Sequence, residues 1–383
     1  MEAGEPSGRA RAGWAQRNWR WLAGAGAAFV AAMAMAAALS WHFSSMVLVP
    51  DHSGWPEDVT VEGLRPDRIV LSRSEDTERP GEYGLLWQGG HAIIGAVIAR
   101  NDVTVTRRLS ATRGYLAPGM KVAIDPEVYA GNPTQTLGLP FADVRIPSEL
   151  GPMPAWMISG EGDTWAIVVH GINGNPQAGL RIAPTLHRAG LPAMLITYRE
   201  DLGAPASPDG LHHMGQTEWR DLQAAVRYAL SHGARRVVLA GYSMGGAIVA
   251  QFMQRSPLAP RVVGLVLDAP ALNWKRIIEF NATEMGLPWF AALPVEWAIR
   301  ARTDADWDSL DALQHTDDFQ LPTLLFHGTQ DDIVPIATSD EFAAELPRWV
   351  TYYRAPQAGH TEAWNVNPQL YERRLAQFLS EWS

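Results

Sequence analysis

One stretch constrains this chain more than any other: Val237-Val238-Leu239-Ala240-Gly241-Tyr242-Ser243-Met244-Gly245-Gly246-Ala247-Ile248-Val249-Ala250. A short apolar run rich in β-branched residues ends at a glycine, a serine follows, and two more glycines open a small-residue pattern running to about Arg255. The run suits a buried strand, and the pattern after it a helix packed close upon that strand. Gly241-x-Ser243-x-Gly245 at this junction has the spacing of a nucleophile elbow, a sharp strand-to-helix turn that holds a serine in a strained backbone conformation. Side chains flanking the serine would collide with the neighbouring strand and helix, which is a physical reason for glycine there. The helix N-terminus just beyond Ser243 offers free N–H groups and the positive end of its dipole where an oxyanion would form. The plainer alternative is a glycine-rich βα turn without chemistry, and the rest of the chain argues against it.

A serine hydroxyl is a weak nucleophile and needs a base, usually histidine, itself oriented by a carboxylate. In a strand–elbow–helix architecture those partners are expected in the order serine, acid, histidine, each just past a strand end. Thr323-Leu324-Leu325-Phe326-His327-Gly328-Thr329-Gln330-Asp331-Asp332 is a buried strand running into a loop with two aspartates. Asp331 is taken as the acid, with Asp332 the near alternative and Asp268, after the preceding strand, the distant one. Ala355-Pro356-Gln357-Ala358-Gly359-His360 places His360 third, in a loop after the last strand. Two backbone N–H groups would complete the site as an oxyanion hole. One is that of Met244; the other is assigned to Ile172 in the His170-Gly171-Ile172-Asn173-Gly174 loop, with His170 a support for that loop and not a base.

Around these motifs the rhythm is alternating strand and helix, which implies a mostly parallel, doubly wound sheet. Strands are expected at Trp165 to Val169, Ala193 to Thr197, Val237 to Ala240, Val262 to Leu267, Thr323 to Phe326 and Val350 to Tyr353. A hairpin built from Val144 to Ile146 and Ala155 to Ile158 opens the domain. Residues 271–318 fall between two strands and are rich in aromatics, including Trp274, Phe280, Trp289, Phe290, Trp297 and Trp307. They are expected to form a helical lid, either an apolar cap over an acyl pocket or helices packed on the sheet. The Arg199-Glu200-Asp201 cluster reads as a solvated or salt-bridged loop. His212-His213 does not have the spacing of a metal pair, and no cofactor or metal is expected.

The chain begins differently. Leu22 to Ser40 is an uncharged, alanine-dominated run, about long enough for the roughly 20 residues a bilayer requires. Arg9, Arg11, Arg17 and Arg20 precede it and Asp51, Glu57 and Asp58 follow; Trp14, Trp19, Trp21, Trp41 and Phe43 flank its ends. The positive-inside rule then puts the N-terminus in the cytoplasm and the rest outside. A cleaved signal peptide is the alternative, but the apolar run exceeds the usual h-region of about 7–15 residues. The net charge of −10 and a pI near 5.6 argue against nucleic acid. With no cysteines, thiolate chemistry and disulfides are excluded. The expected division is 1–20 basic cytoplasmic N-terminus, 21–43 transmembrane signal anchor, 44–140 β-rich appendage or linker, and 141–383 catalytic domain.

From about Pro140 onward the chain resembles the α/β-hydrolase superfamily, on the side shared by esterases, lipases, thioesterases and prolyl-oligopeptidase-like hydrolases. The resemblance rests on His170-Gly171, Gly241-Tyr242-Ser243-Met244-Gly245-Gly246, His327-Gly328-x-x-Asp331-x-x-Val334-Pro335 and Gly359-His360. It implies a Ser243–Asp331–His360 triad with an oxyanion hole from Met244 and Ile172. The activity implied is a membrane-anchored serine hydrolase acting on small-molecule or lipid acyl esters or thioesters. A prolyl-oligopeptidase-like peptidase, an envelope acyltransferase and a non-catalytic anchored binding module are the other readings. The appendage is short for the propeller that accompanies large prolyl oligopeptidases, and protein partners are not indicated.

Overall fold

The computed structural model describes residues 8–382; the side chains of residues 8–22, 24, 26–28 and 32, and with them the basic and aromatic N-terminal flank, lie outside that description. Helix α1 (Gly8–Leu48) leads into β1 (Val59–Arg65), β2 (Arg68–Ser72), a single turn α2 (Glu75–Glu78), β3 (Tyr83–Trp87), β4 (Gly90–Arg100), β5 (Thr104–Arg113) and β6 (Lys121–Asp125). The six strands close into a barrel in the order β1-β2-β5-β4-β3-β6, every pair antiparallel. Alternate residues point inward, so Val59 and Val61, Ile69 and Leu71, Tyr83 and Leu85, and Ala92 and Ile94 fill the interior. In the sequence Ile69 to Leu71, Tyr83 to Trp87 and His91 to Ala99 read as apolar runs and Val103 to Thr106 as a period-two alternation, and they fall on β2 to β5. β1 and β6 were not expected: Glu62, Gly63 and Arg65 interrupt the apolar character of one, and the other is only five residues long.

A buried arginine organises one end of the barrel. Arg107, 0% exposed, donates through Nε to Gly95 O at 2.8 Å and through its Nη groups to Thr77 O, Arg79 O and Gly81 O at 3.1, 2.8 and 2.7 Å. One carbonyl of β4 and three of the segment 77–81 thus find a donor in one side chain. That segment, 77–81, is the part of the barrel that faces the second domain.

α3 (Pro133–Leu137), capped by Asn132, lies in the Pro/Gly-rich boundary. The second domain is an eight-stranded sheet built from β7 (Phe141–Ser148), β8 (Gly151–Ile158), β9 (Thr164–Val169), β10 (Ala193–Ile196), β11 (Arg236–Tyr242), β12 (Val262–Asp268), β13 (Thr323–Gly328) and β14 (Val350–Ala355). Their order is β14-β13-β12-β11-β9-β10-β8-β7; the pairs among β9 to β14 are parallel and the β7–β8 hairpin joins antiparallel. The connecting helices are α4 (Ala183–Arg188), α5 (Trp219–Ser231), α6 (Met244–Arg255), α7 (Trp274–Glu284), α8 (Leu293–Thr303), α9 (Ile336–Glu345), α10 (Ala363–Val366) and α11 (Pro368–Leu379). The period-two strand pattern splits the core between the faces. Ile167 and Val169 pack with Leu222, Ile248, Phe252 and Phe342 on one side, and Ala166 and Val168 with Leu186, Tyr371 and Leu375 on the other.

Residues 271–318 form α7, α8 and three short 3-10 turns between β12 and β13. Trp274, Ile277, Ile278, Val295, Ile299 and Leu310 are buried, whereas Trp289, Phe290, Leu293 and Trp297 are exposed, so the segment divides its apolar residues between the core and the surface.

α1 runs past Phe43, where a separate appendage was expected to begin, as far as Leu48. Ser40, Ser44 and Leu48 are buried and recur every four residues, hence on one helix face. Arg302 of α8 donates at 2.8 Å to both Ser44 Oγ and Ser45 Oγ and stacks 4.3 Å from the Trp41 ring centre. The Leu48 carbonyl accepts from His212 N at 2.8 Å. These last turns belong to the packing of the second domain and not to a linker.

Replacing Arg107 with Met should leave four buried or half-buried carbonyls without this donor and lower stability by about 3 kcal/mol or more, read as a fall in the urea midpoint, whereas Arg108→Met on the exposed face should change it by no more than about 0.5 kcal/mol. Equal effects would mean that Arg107 does not organise segment 77–81.

Candidate active site

The parallel strands end on one edge of the sheet, and that edge collects the polar residues. β11 ends at Tyr242 and α6 starts at Met244; Ser243 between them has φ 51° and ψ −118°. This is a left-handed conformation that costs a non-glycine residue of order 1–3 kcal/mol. Its surroundings hold it there. Ser243 N donates to Asp268 O at 3.1 Å, and its own carbonyl accepts from Ala271 N at 3.0 Å. A Cβ on Gly245 would lie 2.2 Å from Val169 O and 2.6 Å from His170 O, so α6 sits this close to β9 only because the residue is glycine.

His360 Nε2 lies 2.8 Å from Ser243 Oγ, and Nδ1 lies 2.8 Å from Asp331 Oδ2. The serine is 9% exposed and Asp331 8%, so the relay is shielded from bulk water. Nδ1–H donates to the carboxylate, which leaves Nε2 to accept from the hydroxyl. Asp331 is fixed on its other oxygen by the amides of Ile333 and Val334 at 3.0 and 2.8 Å. His327 adds a further donor: Nε2 faces both Asp331 Oδ2 at 3.1 Å and Val334 O at 3.0 Å, so it carries the proton. Nδ1 then accepts from Ser339 Oγ at 2.7 Å. Of the aspartates considered, Asp331 is the one bonded to His360; Asp332 is exposed, and Asp268 is buried at the end of β12.

The electrostatics follow from this arrangement. Burial alone would raise the Asp331 carboxyl pKa, but the charge of His360 and hydrogen bonds from His327 and His360 outweigh it and hold the group well below the usual carboxylate range. For His360, burial would lower the pKa, and Asp331 overrides it with smaller help from Asp268 and Asp332, so the ring titrates above its ordinary value. Burial pushes Asp268 up to about 6 against the opposing pull of Arg181.

The loop carrying Ile172 packs directly against the serine: a Cβ on Gly171 would lie 3.1 Å from Ser243 Cβ. The Gly171 carbonyl is turned away by two donors, Tyr198 Oη at 2.7 Å and His170 Nδ1 at 2.8 Å. His170 Nε2 reaches Asp201 Oδ2 at 2.9 Å, so both ring nitrogens face acceptors and the ring carries both protons. Burial opposes that charge and Asp201 prevails, raising the pKa. Asn173, next in the loop at φ 56°, accepts through Oδ1 from Asp51 N at 2.9 Å and from the His212 ring at 3.1 Å. Arg199, Glu200 and Asp201 are buried, which corrects the solvated reading of that cluster: Arg199 pairs with Asp221 at 2.8 Å and Asp201 holds His170. His213 faces Asp209 at 3.2 Å.

One connection had no counterpart in the sequence reading. Glu362, two residues beyond His360, accepts from Arg79 Nη1 at 2.8 Å, Tyr83 Oη at 3.0 Å and Gly359 N at 3.2 Å. Asn365 Nδ2 donates to Glu82 O and Pro126 O at 2.8 Å each, while Glu82 N donates to Asn365 O at 2.9 Å. Arg181 donates to Thr361 O at 2.8 Å and Asn365 Oδ1 at 3.0 Å. The barrel therefore grips the histidine loop, in which Thr361 is held at φ 55°. The contacts of Glu362 with Arg79 and Tyr83 join residues about 280 apart, a separation at which no local pattern exists.

Residues 207–383 match the prolyl oligopeptidase family, and residues 60–125, which coincide with the barrel, match a domain of unknown function, DUF8805. An uncharacterized protein of Mycobacterium tuberculosis is 27% identical over 228 residues, 58% of this chain and 72% of that protein. An esterase of Pyrococcus furiosus, Pf2001, shares the fold with a TM-score of 0.55 and 19% identity, covering 66% of this chain and 94% of the esterase. A second crystal form of that esterase gives a TM-score of 0.53 and 20% identity, with 66% and 96% covered. The eight-stranded domain thus has the α/β-hydrolase fold, and its C-terminal part matches the prolyl oligopeptidase family.

Two measurements probe the site. In an NMR titration His360 should have a midpoint above 6.5, because Asp331 favours the charged ring; in Asp331→Asn it should fall, and an unmoved midpoint would remove Asp331 as the cause. In Glu362→Ala, hydrogen exchange of residues 356–367 should speed up while β9 to β12 stay protected. Unchanged exchange in that loop would mean that the barrel does not hold it.

Proposed function

We propose that this chain is a membrane-anchored serine hydrolase that cleaves carboxylic ester or thioester bonds through an acyl-enzyme. The observation that carries the reading is the unbroken 2.8 Å relay from Ser243 Oγ through His360 to Asp331. As the hydroxyl attacks the carbonyl carbon, its proton passes to His360 Nε2, and Asp331 stabilises the imidazolium. The carbonyl oxygen gains charge beside the N–H of Met244, at the start of α6, and that of Ile172. Collapse expels the alcohol or thiol, which takes the proton back from Nε2. Water, deprotonated by the same nitrogen, then hydrolyses the acyl-serine, and no cofactor enters the sequence of steps.

The membrane part of the reading rests on the uncharged run Leu22 to Ser40, which overlaps Phe29–Leu48, the part of α1 long and apolar enough by length and composition to cross a bilayer. With residues 40–48 docked on the domain, residues 21–39 are left to cross, about 28 Å at 1.5 Å per residue, against a hydrocarbon core of about 30 Å. The four arginines before this run favour a cytoplasmic N-terminus and a catalytic domain on the other side. A second reading, peptide hydrolysis, is favoured by the family match over residues 207–383. It uses the same residues, with His360 protonating a departing amine.

The test is hydrolysis of p-nitrophenyl esters of graded acyl length by the full chain in detergent, beside Ser243→Ala. The expected result is activity in the parent and a loss of at least roughly 1,000-fold in the variant. Equal rates would remove Ser243 as the nucleophile, and cleavage of peptide amides in preference to esters would establish the second reading.

A further inference from the structure

The segment between β12 and β13 carries an apolar surface that this chemistry leaves without a role. Met285, Leu287, Trp289, Phe290, Leu293 and Trp297 are exposed, Trp297 by 78%. Six large apolar side chains exposed within thirteen residues, with the Trp289 and Phe290 rings in contact, mark a surface that meets something. Its place in the architecture says what. α8, which bears Leu293 and Trp297, is the helix on which the last turns of α1 are seated through Arg302, Ser44, Ser45 and Trp41. On α1 the exposed apolar residues Phe29, Val30, Met33, Met35 and Leu39 precede those seated turns. The change from lipid-facing to domain-facing helix therefore falls at α8. The segment is also next to the nucleophile, since its first residue, Ala271, donates to Ser243 O at 3.0 Å.

We infer that Trp289, Phe290, Leu293 and Trp297 dock into the interfacial layer of the same bilayer that α1 enters, so that Ser243 draws its acyl substrate from membrane lipid. This rests on the anchored reading of α1. Indole and phenyl rings favour the boundary between headgroups and acyl chains, and a surface already held there by a neighbouring helix needs little further free energy to insert. The substrate class this implies is an acyl lipid presented at the surface, not an ester free in water.

Because the chain has no cysteine, single cysteines report on separate surfaces. Full-length Trp297→Cys, Phe29→Cys and, on the barrel side, Tyr115→Cys are labelled with a nitrobenzoxadiazole dye and reconstituted into phosphatidylcholine–phosphatidylglycerol vesicles containing doxyl-labelled lipid. Quenching at positions 297 and 29 but not at 115 is expected. Quenching at 29 alone would overturn the docking and keep the anchor; quenching at 297 without 29 would keep the docking and overturn the anchor. Quenching at neither would overturn both, and quenching at all three would mean adhesion without a specific face. A Trp289→Ser, Phe290→Ser, Trp297→Ser protein should lose about tenfold in kcat/KM on a vesicle-borne ester and stay within about twofold on a soluble acetate ester. Equal losses on both would reduce the patch to a packing role and overturn the inference.

Discussion

The structure depends on one backbone conformation, that of Ser243. A serine at positive φ between a strand and a helix is tolerable only if every neighbouring element leaves it no alternative. β12 accepts its amide, Ala271 donates to its carbonyl, and the glycines at 241, 245 and 171 let β9, β11 and α6 close to distances that any side chain would forbid. The parallel sheet makes this possible, because parallel strands all finish at the same edge. Asp331, His360 and the Ile172 loop come from strands β13, β14 and β9, and no two of them adjoin in sequence, yet the sheet order sets them around one hydroxyl.

The other two parts of the chain act on the same edge through different loops. The barrel holds the His360 loop through Glu362 and Asn365, and Arg107 fixes the barrel segment that makes those contacts. The stretch following α1 reaches the Ile172 loop through Asp51 and Asn173, and His212 binds both Asn173 and Leu48. Strain is collected at these points: Ser243, Asn173 and Thr361, one in each of the three loops, all have positive φ. Neither the barrel nor the leading helix is a spacer.

What could be read in the sequence was what local chemistry dictates. The elbow shows itself in glycine spacing, the strands of the sheet in β-branched runs, and Asp331 and His360 in loops after such runs. These signals survive because they are requirements of backbone geometry at short range. Arg107, Glu362 and Asn173 were silent because a buried charged or amide side chain is defined by partners tens or hundreds of residues away. The Arg199-Glu200-Asp201 cluster was legible only as solvated or salt-bridged, because three charges in a row do not show which until the counterions Asp221 and His170 come into view. β1 and β6 were missed because barrel closure, not their own pattern, makes them strands.

The course of α1 has a mechanical consequence. It passes from Gly8 to Leu48 without a break, and its final turns are bolted to α8. In the anchored reading the catalytic domain has no joint between itself and the bilayer, so tilting the helix tilts the domain as one lever. Membranes of different thickness change helix tilt. Lipid chain length in the host membrane would then set the angle at which the mouth of the enzyme meets the surface, making bilayer thickness a variable of turnover with no ligand involved.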